Sequence, residues 1–193
     1  MNRQCSFVFF ALSLCVLRAD DSAPSSANLS VSASVQSAST VPSVSGKTLE
    51  VVDGGYVKLG FNVLASYKYV APAFDPVATP NATPPSGEEQ IPNDIKKLDG
   101  KKAMVAGFML PVKMENGLVK EFLLVKDQMM CCYGAIPQMN EWIVVKMPKE
   151  GVKPVMDVPV SFYGQIHVKE MYENGYMTGL YLLDGEKMGQ PQS

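Results

Sequence analysis

Between residues 102 and 183 the chain repeats one pattern: a run of six to eleven β-compatible residues, then a turn or polar loop, with no long helical period in between. The runs are Lys102–Leu110, Val119–Val125, Trp142–Met147, Val158–Val168 and Met177–Leu183. Met114-Glu-Asn-Gly117 and Glu173-Asn-Gly175 join two pairs of them through Asn-Gly, the dipeptide that supplies positive φ at both centre positions of a two-residue hairpin turn. Pro148 to Asp157 makes a longer polar loop after the third run. The expected fold is therefore mainly β, a small five-stranded antiparallel OB-like barrel. A short helix over Ile91–Leu98 precedes the first core strand, and Gly107 marks a place where that strand bends.

The rest of the chain divides by composition. With 193 residues, 47% hydrophobic and 19% charged, it has material for one globular domain plus attachments. Met1–Ala19 places Arg3 before the apolar run Phe7–Leu17 and ends at a small residue, the layout of a signal peptide. That run is too short to span a bilayer, and no later segment reaches the length needed. The expectation is export to the periplasm or beyond, without a transmembrane segment. Lipoprotein anchoring at Cys15 fits less well, because Leu14 stands where a small residue is needed. Residues 20–46, rich in Ser, Ala and Val, read as a disordered tether. Residues 47–90 read as accessory short strands about Gly54-Gly55 followed by a Pro-rich loop, and 91–188 as the β-barrel domain. Loss of Arg3 and Arg18 leaves fifteen basic against nineteen acidic residues, a net charge of −4, which gives no footing for nucleic acid or an anionic membrane.

Chemistry concentrates at Cys131 and Cys132, the only cysteines left once Cys5 and Cys15 depart with the signal peptide. Met129 and Met130 precede them, and Gly134 and Pro137 turn the chain after them. Adjacent side chains on a strand point to opposite faces, so two neighbouring thiols meet one ion only where the backbone turns. Thiolates favour zinc or copper(I), and a thioether from Met130 tips the balance toward copper(I). His167, the sole histidine, could add an imidazole, and Asp127 or Glu141 a carboxylate. The metal candidates are Cys131, Cys132, His167 and Met130, with Tyr133, Gly134, Pro137, Asn140 and Trp142 as site support. Two further readings stay open: a vicinal disulfide serving as a redox element or a rigid turn, and two inert buried thiols. No phosphate loop, metalloprotease helix or nucleophile elbow is present, so no catalytic residue is assigned.

In order along the chain, Ile91-Pro92, Ile95-Lys-Lys-Leu-Asp-Gly-Lys101, Gly107-Phe-Met-Leu-Pro111, Glu121-Phe-Leu-Leu124, Cys131-Cys-Tyr-Gly134, Pro137 and Asn140-Glu-Trp142 resemble an exported bacterial family, domain of unknown function 3299. The resemblance covers about residues 91 to 183, with a weaker echo at Gly60–Leu64. Tyr133 stands where the family usually has Phe, which keeps the aromatic side chain and adds a hydroxyl. The resemblance implies a periplasmic or secreted, lipoprotein-like setting, a small β-barrel and a connection to metal handling. The functional expectation is a non-enzymatic metal-binding module, with a metal ion and an envelope protein as its classes of partner. The alternatives are a thiol-disulfide redox protein using Cys131 and Cys132, or a structural protein-interaction module.

Overall fold

The computed structural model describes residues 43–44, 47–52, 54–128 and 137–191. All of them belong to one compact unit, Ser39–Ser193. Two hairpins open it. β1 (Ser43–Val44) pairs with β2 (Lys47–Thr48), and β3 (Val51–Val52) pairs with β4 (Tyr56–Leu59) across Gly54 and Gly55, both at positive φ. A single helical turn, α1 (Phe61–Leu64), follows, and a 3-10 turn, Glu88–Gln90, ends the Pro-rich loop. A second single turn, α2 (Asn93–Lys96), buries Ile95 against the core just before the long strands begin. These are β5 (Lys102–Glu115), β6 (Leu118–Val125), β7 (Trp142–Lys146), β8 (Val160–Glu173) and β9 (Tyr176–Pro191).

The seven-stranded sheet runs β3-β4-β5-β6-β7-β9-β8, and β8 pairs again with β5. That last pairing closes β5, β6, β7, β9 and β8 into a ring of five strands. The expectation of a purely antiparallel arrangement fails. β7 and β9 run parallel, Val144 opposite Leu182 and Val145 opposite Leu183, and β4 also lies parallel on β5. The ring's parallel pair is a matter of parity, because strand directions cannot alternate around a closed ring with an odd number of members. The chain meets this requirement after β7, where it crosses over to lay β8 against β5, so that β9, returning along β8, meets β7 in the same direction.

Gly107 sits where β5 changes partners. Lys102–Gly107 pairs with β8, and Phe108–Glu115 pairs with β6. A Cβ at Gly107 would lie 2.7 Å from the Val125 carbonyl oxygen and 2.9 Å from Leu124 Cγ, so the strand bends through a residue without a side chain. Three strands are longer than their apolar runs: β5 and β8 have 14 residues each and β9 has 16. The added length of β9, residues 184–191, runs along residues 160–165 of β8, and that of β5 and β8 forms two hairpin arms with β6 and β9. They turn at Asn116-Gly117 and Asn174-Gly175, where all four residues have positive φ, as Asn-Gly turns require.

Alternate residues of the five strands fill the interior. Val105, Phe122, Leu124, Ile143, Val145, Phe162, Ile166 and Leu183 are fully buried there. The Phe122 and Phe162 side chains pack with centroids 4.6 Å apart at a tilt of 51°, so each fills space that the other cannot reach. Leu59, Leu64, Ile95 and Leu98, also buried, belong to the same core. Truncation of Phe122 leaves a cavity at the point of closest aromatic contact. Phe122→Ala should lower unfolding free energy by about 3–5 kcal/mol, read from the urea midpoint with an unchanged m-value.

Candidate functional site

Met130, Cys131, Cys132, Tyr133 and Gly134 lie outside the described residues. What the fold places is the flank of that segment, Pro137, Asn140 and Trp142, together with His167. β6 ends at Val125 and β7 begins at Trp142, and these two residues are register partners. The connection that carries the cysteines therefore leaves and returns at one point on the sheet. Its returning limb is tied locally. The Gln138 N–H donates to Glu141 Oε2 at 2.9 Å, and the Glu141 N–H donates to the Gln138 carbonyl at 2.9 Å.

Two long-range contacts pin that limb. The Trp142 indole N–H donates to the Thr178 carbonyl of β9 at 2.9 Å. The neighbouring Gly179 leaves room for it, since a Cβ there would lie 3.0 Å from Trp142 Nε1. Asn140 is 1% exposed, and its Nδ2 donates to the Tyr67 carbonyl at 2.6 Å. Its other amide atom, Oδ1, is buried with no hydrogen-bond partner among the described residues. A buried acceptor left without a donor costs about 1–3 kcal/mol, so this oxygen marks a place where a donor belongs.

The segment that receives Asn140 is itself clamped. The Tyr181 hydroxyl donates to the Leu64 carbonyl at 2.7 Å, and the Tyr67 and Tyr181 hydroxyls lie 2.9 Å apart. Burial pushes the Tyr181 phenol far above its ordinary range, reinforced by Tyr67 beside it; burial also raises Tyr67, against the Tyr181 hydrogen bond. Both phenols are neutral at any ordinary pH and serve as fixed donors and acceptors. Further along, one carboxylate, Glu170, gathers four donors: Tyr69 Oη at 2.5 Å, the Gly87 N–H at 2.6 Å, Ser86 Oγ at 3.0 Å and Tyr172 Oη at 3.4 Å. It latches both ends of the Pro-rich loop onto β8. Gln90 adds a reciprocal pair with the Val70 backbone, at 3.1 and 2.9 Å. Sequence reasoning missed Tyr67, Tyr181 and Glu170, whose links Tyr67–Tyr181, Tyr181–Leu64 and Glu170–Gly87 span 114, 117 and 83 residues of chain.

His167 lies on β8. It is the register partner of Leu182, on the outward side of β8, with Nε2 3.1 Å from Asp184 Oδ2 and Nδ1 3.6 Å from Asp99 Oδ1. Nε2 is thus within hydrogen-bond reach of Asp184, whereas Asp99 Oδ1 accepts from the Val168 N–H at 2.9 Å and lies beyond hydrogen-bond reach of Nδ1. Among the described residues no group of three or more His, Cys, Asp or Glu side chains is placed to hold a metal ion. No helix among them is long and apolar enough to cross a membrane.

The family model described as "Protein of unknown function (DUF3299)" matches residues 81–190, more than half of the chain. A crystal structure at 2.45 Å resolution of a DUF3299 family protein from Pseudomonas aeruginosa PAO1 is similar. The two are 24% identical, the match covers 72% of this chain and 98% of that one, and the TM-score is 0.49. No curated protein matches.

The Glu170 latch carries a pH signature. Burial alone would raise its carboxyl, but the hydrogen bonds from Tyr69, Gly87, Ser86 and Tyr172 outweigh it and hold the group below its ordinary 4.5. A depressed carboxyl stabilises the fold above its unfolded value and loses that contribution as pH falls through the folded value. Glu170→Gln should therefore be destabilised relative to the parent at pH 7, and the gap should close once pH falls below about 4.5. Urea midpoints of the two proteins across a pH series check this.

Proposed function

The chain belongs to the DUF3299 family, and from that premise we propose that it is an exported, non-enzymatic metal-binding module whose thiolate site is Cys131 and Cys132. We also infer that its five-stranded ring is an OB-like barrel. The ring order β5-β6-β7-β9-β8, with one parallel pair within the ring, supports that finer reading.

The observation that carries the metal reading is Asn140. A fully buried amide sits eight residues after Cys132, held by one hydrogen bond and short of one donor. A loop wrapped around a metal ion turns backbone N–H groups inward and carries metal-bound water, and either supplies the missing donor. Outer partners of this kind orient the ligands of a metal site. Two adjacent thiolates with an open remainder suit zinc or copper(I), and Met130 would favour copper(I). His167 already faces Asp184 at 3.1 Å through Nε2, so the reading rests on the thiolates.

The test is metal content and free-thiol titration of protein purified under reducing conditions and loaded with zinc or copper(I). Stoichiometric metal, lost in both Cys131→Ser and Cys132→Ser, is the expected result. Reversible disappearance of two thiols with no metal bound would replace this reading with a thiol-disulfide one. Two metal-free, unreactive thiols would overturn both.

A further inference from the structure

The outward face of β6, β7 and β9 carries a groove of about 750 Å³. Its floor is a straight cross-strand row, in which Leu123 is the register partner of Val144 and Val144 of Leu182. Trp142 stands at one end of the floor, its indole fixed by the bond to Thr178. The walls are the two hairpin arms, through Val112 of β5 on one side and Met171 and Tyr172 of β8 on the other. Apolar surface continues past the cavity along both arms, where Val112 is 62% exposed, Met114 50% and Tyr176 56%. Isolated exposed apolar residues are ordinary, but an apolar floor continued onto two flanking arms is the pattern of an interaction site.

Charge decides the occupant. The row beside the floor is Glu121, Lys146 and Asp184, in register and alternating in sign, with Lys146 3.9 Å from Glu121. On the opposite wall stand Lys169 and Glu173, and among the described residues neither has an ion-pair partner. An acyl chain brings one charged end and leaves most of this rim unmatched. A nucleic acid brings only negative charge to a face where Glu121, Glu170, Glu173 and Asp184 outnumber Lys146 and Lys169. A polypeptide supplies apolar side chains at every second position and charges of both signs between them. We propose that this groove docks an extended segment of a partner polypeptide, with its apolar side chains on Leu123, Val144 and Leu182 and its charged ones on the two rims. The inference is independent of whether Cys131 and Cys132 hold a metal.

Trp142 is the only tryptophan in the chain, so intrinsic fluorescence reads a single indole at one end of this groove. The experiment selects binders from a random-sequence peptide library on the full chain, then titrates the enriched peptides while following Trp142 emission. The expected result is a family of peptides with alternating apolar and charged positions that shifts Trp142 emission. Their affinity should drop at least about tenfold for Leu182→Asp, as for removal of a central interface contact. Lys153→Glu, outside the groove lining, should leave it unchanged. Lys169→Glu, at an exposed position, keeps the test valid if Leu182→Asp does not fold: it should weaken peptides carrying an acidic residue. Failure to enrich any common pattern, or equal binding to Lys169→Glu and to folded Leu182→Asp, overturns the proposal. So does a Trp142 response to lauric acid or phospholipid vesicles that no peptide reproduces.

Discussion

β5 must satisfy three neighbours, and the fold depends on how it does so. One strand pairs with β8 along its first half and β6 along its second, while β4 adds a parallel partner at Val57–Leu59. A strand can exchange one partner for another only where its backbone bends and the incoming strand comes close. Gly107 meets both needs, because the Val125 carbonyl and Leu124 occupy the space where any side chain would stand. Closure at this point removes the ring's free edges and brings Phe122 of β6 against Phe162 of β8, two strands that are not neighbours in the sheet. The interior is filled by residues that meet only because the ring is closed.

The N-terminal segment packs Leu59, Phe61 and Leu64 into the ring's core, and polar contacts that burial makes obligatory fix it there. A phenol taken out of water without a partner is costly, so the Tyr181 hydroxyl, once buried by the ring, needs an acceptor. It finds the Leu64 carbonyl, Tyr67 joins it, and the Tyr67 carbonyl receives Asn140. One chain of hydrogen bonds thus connects the turn after β4, the interior of β9 and the residue two before β7. The Glu170 latch repeats the principle further along, with one carboxylate fixing both limbs of the Pro-rich loop. The consequence for function is that the returning limb of the cysteine-bearing connection is anchored to rigid elements on two sides, by Asn140 and Trp142.

Two surfaces with different chemistry follow from this frame. The proposed thiolate site belongs to the connection between β6 and β7, where the fold supplies rigid footings and one buried oxygen in need of a donor. The proposed docking groove belongs to the side of the same strands, where the pleat turns Leu123, Val144 and Leu182 outward in one row. Trp142 takes part in both settings. It begins β7 at the foot of the connection and stands at the end of the groove, so a change on either side acts on the same indole.

Much of the architecture could be read from local pattern. Apolar runs of strand length gave the five ring strands, Asn116-Gly117 and Asn174-Gly175 gave the hairpin turns, and Gly107 gave the bend, because each signal acts over a few residues. The family, too, was legible in short ordered motifs. The parallel β7–β9 pair was not, since strand direction around a closed ring is a property of the whole cycle. Nor were the added lengths of β5, β8 and β9, which pair with β6, β9 and β8 respectively. The sequence by itself determined where strands and turns form and which segment carries the thiols, because local propensity and side-chain chemistry are written residue by residue. Only the tertiary structure decided that Tyr67, Tyr181 and Asn140 form one buried chain, that His167 lies between two carboxylates, and that three outward residues line up as a groove floor. Such contacts join residues far apart in the chain, and folding alone brings them together.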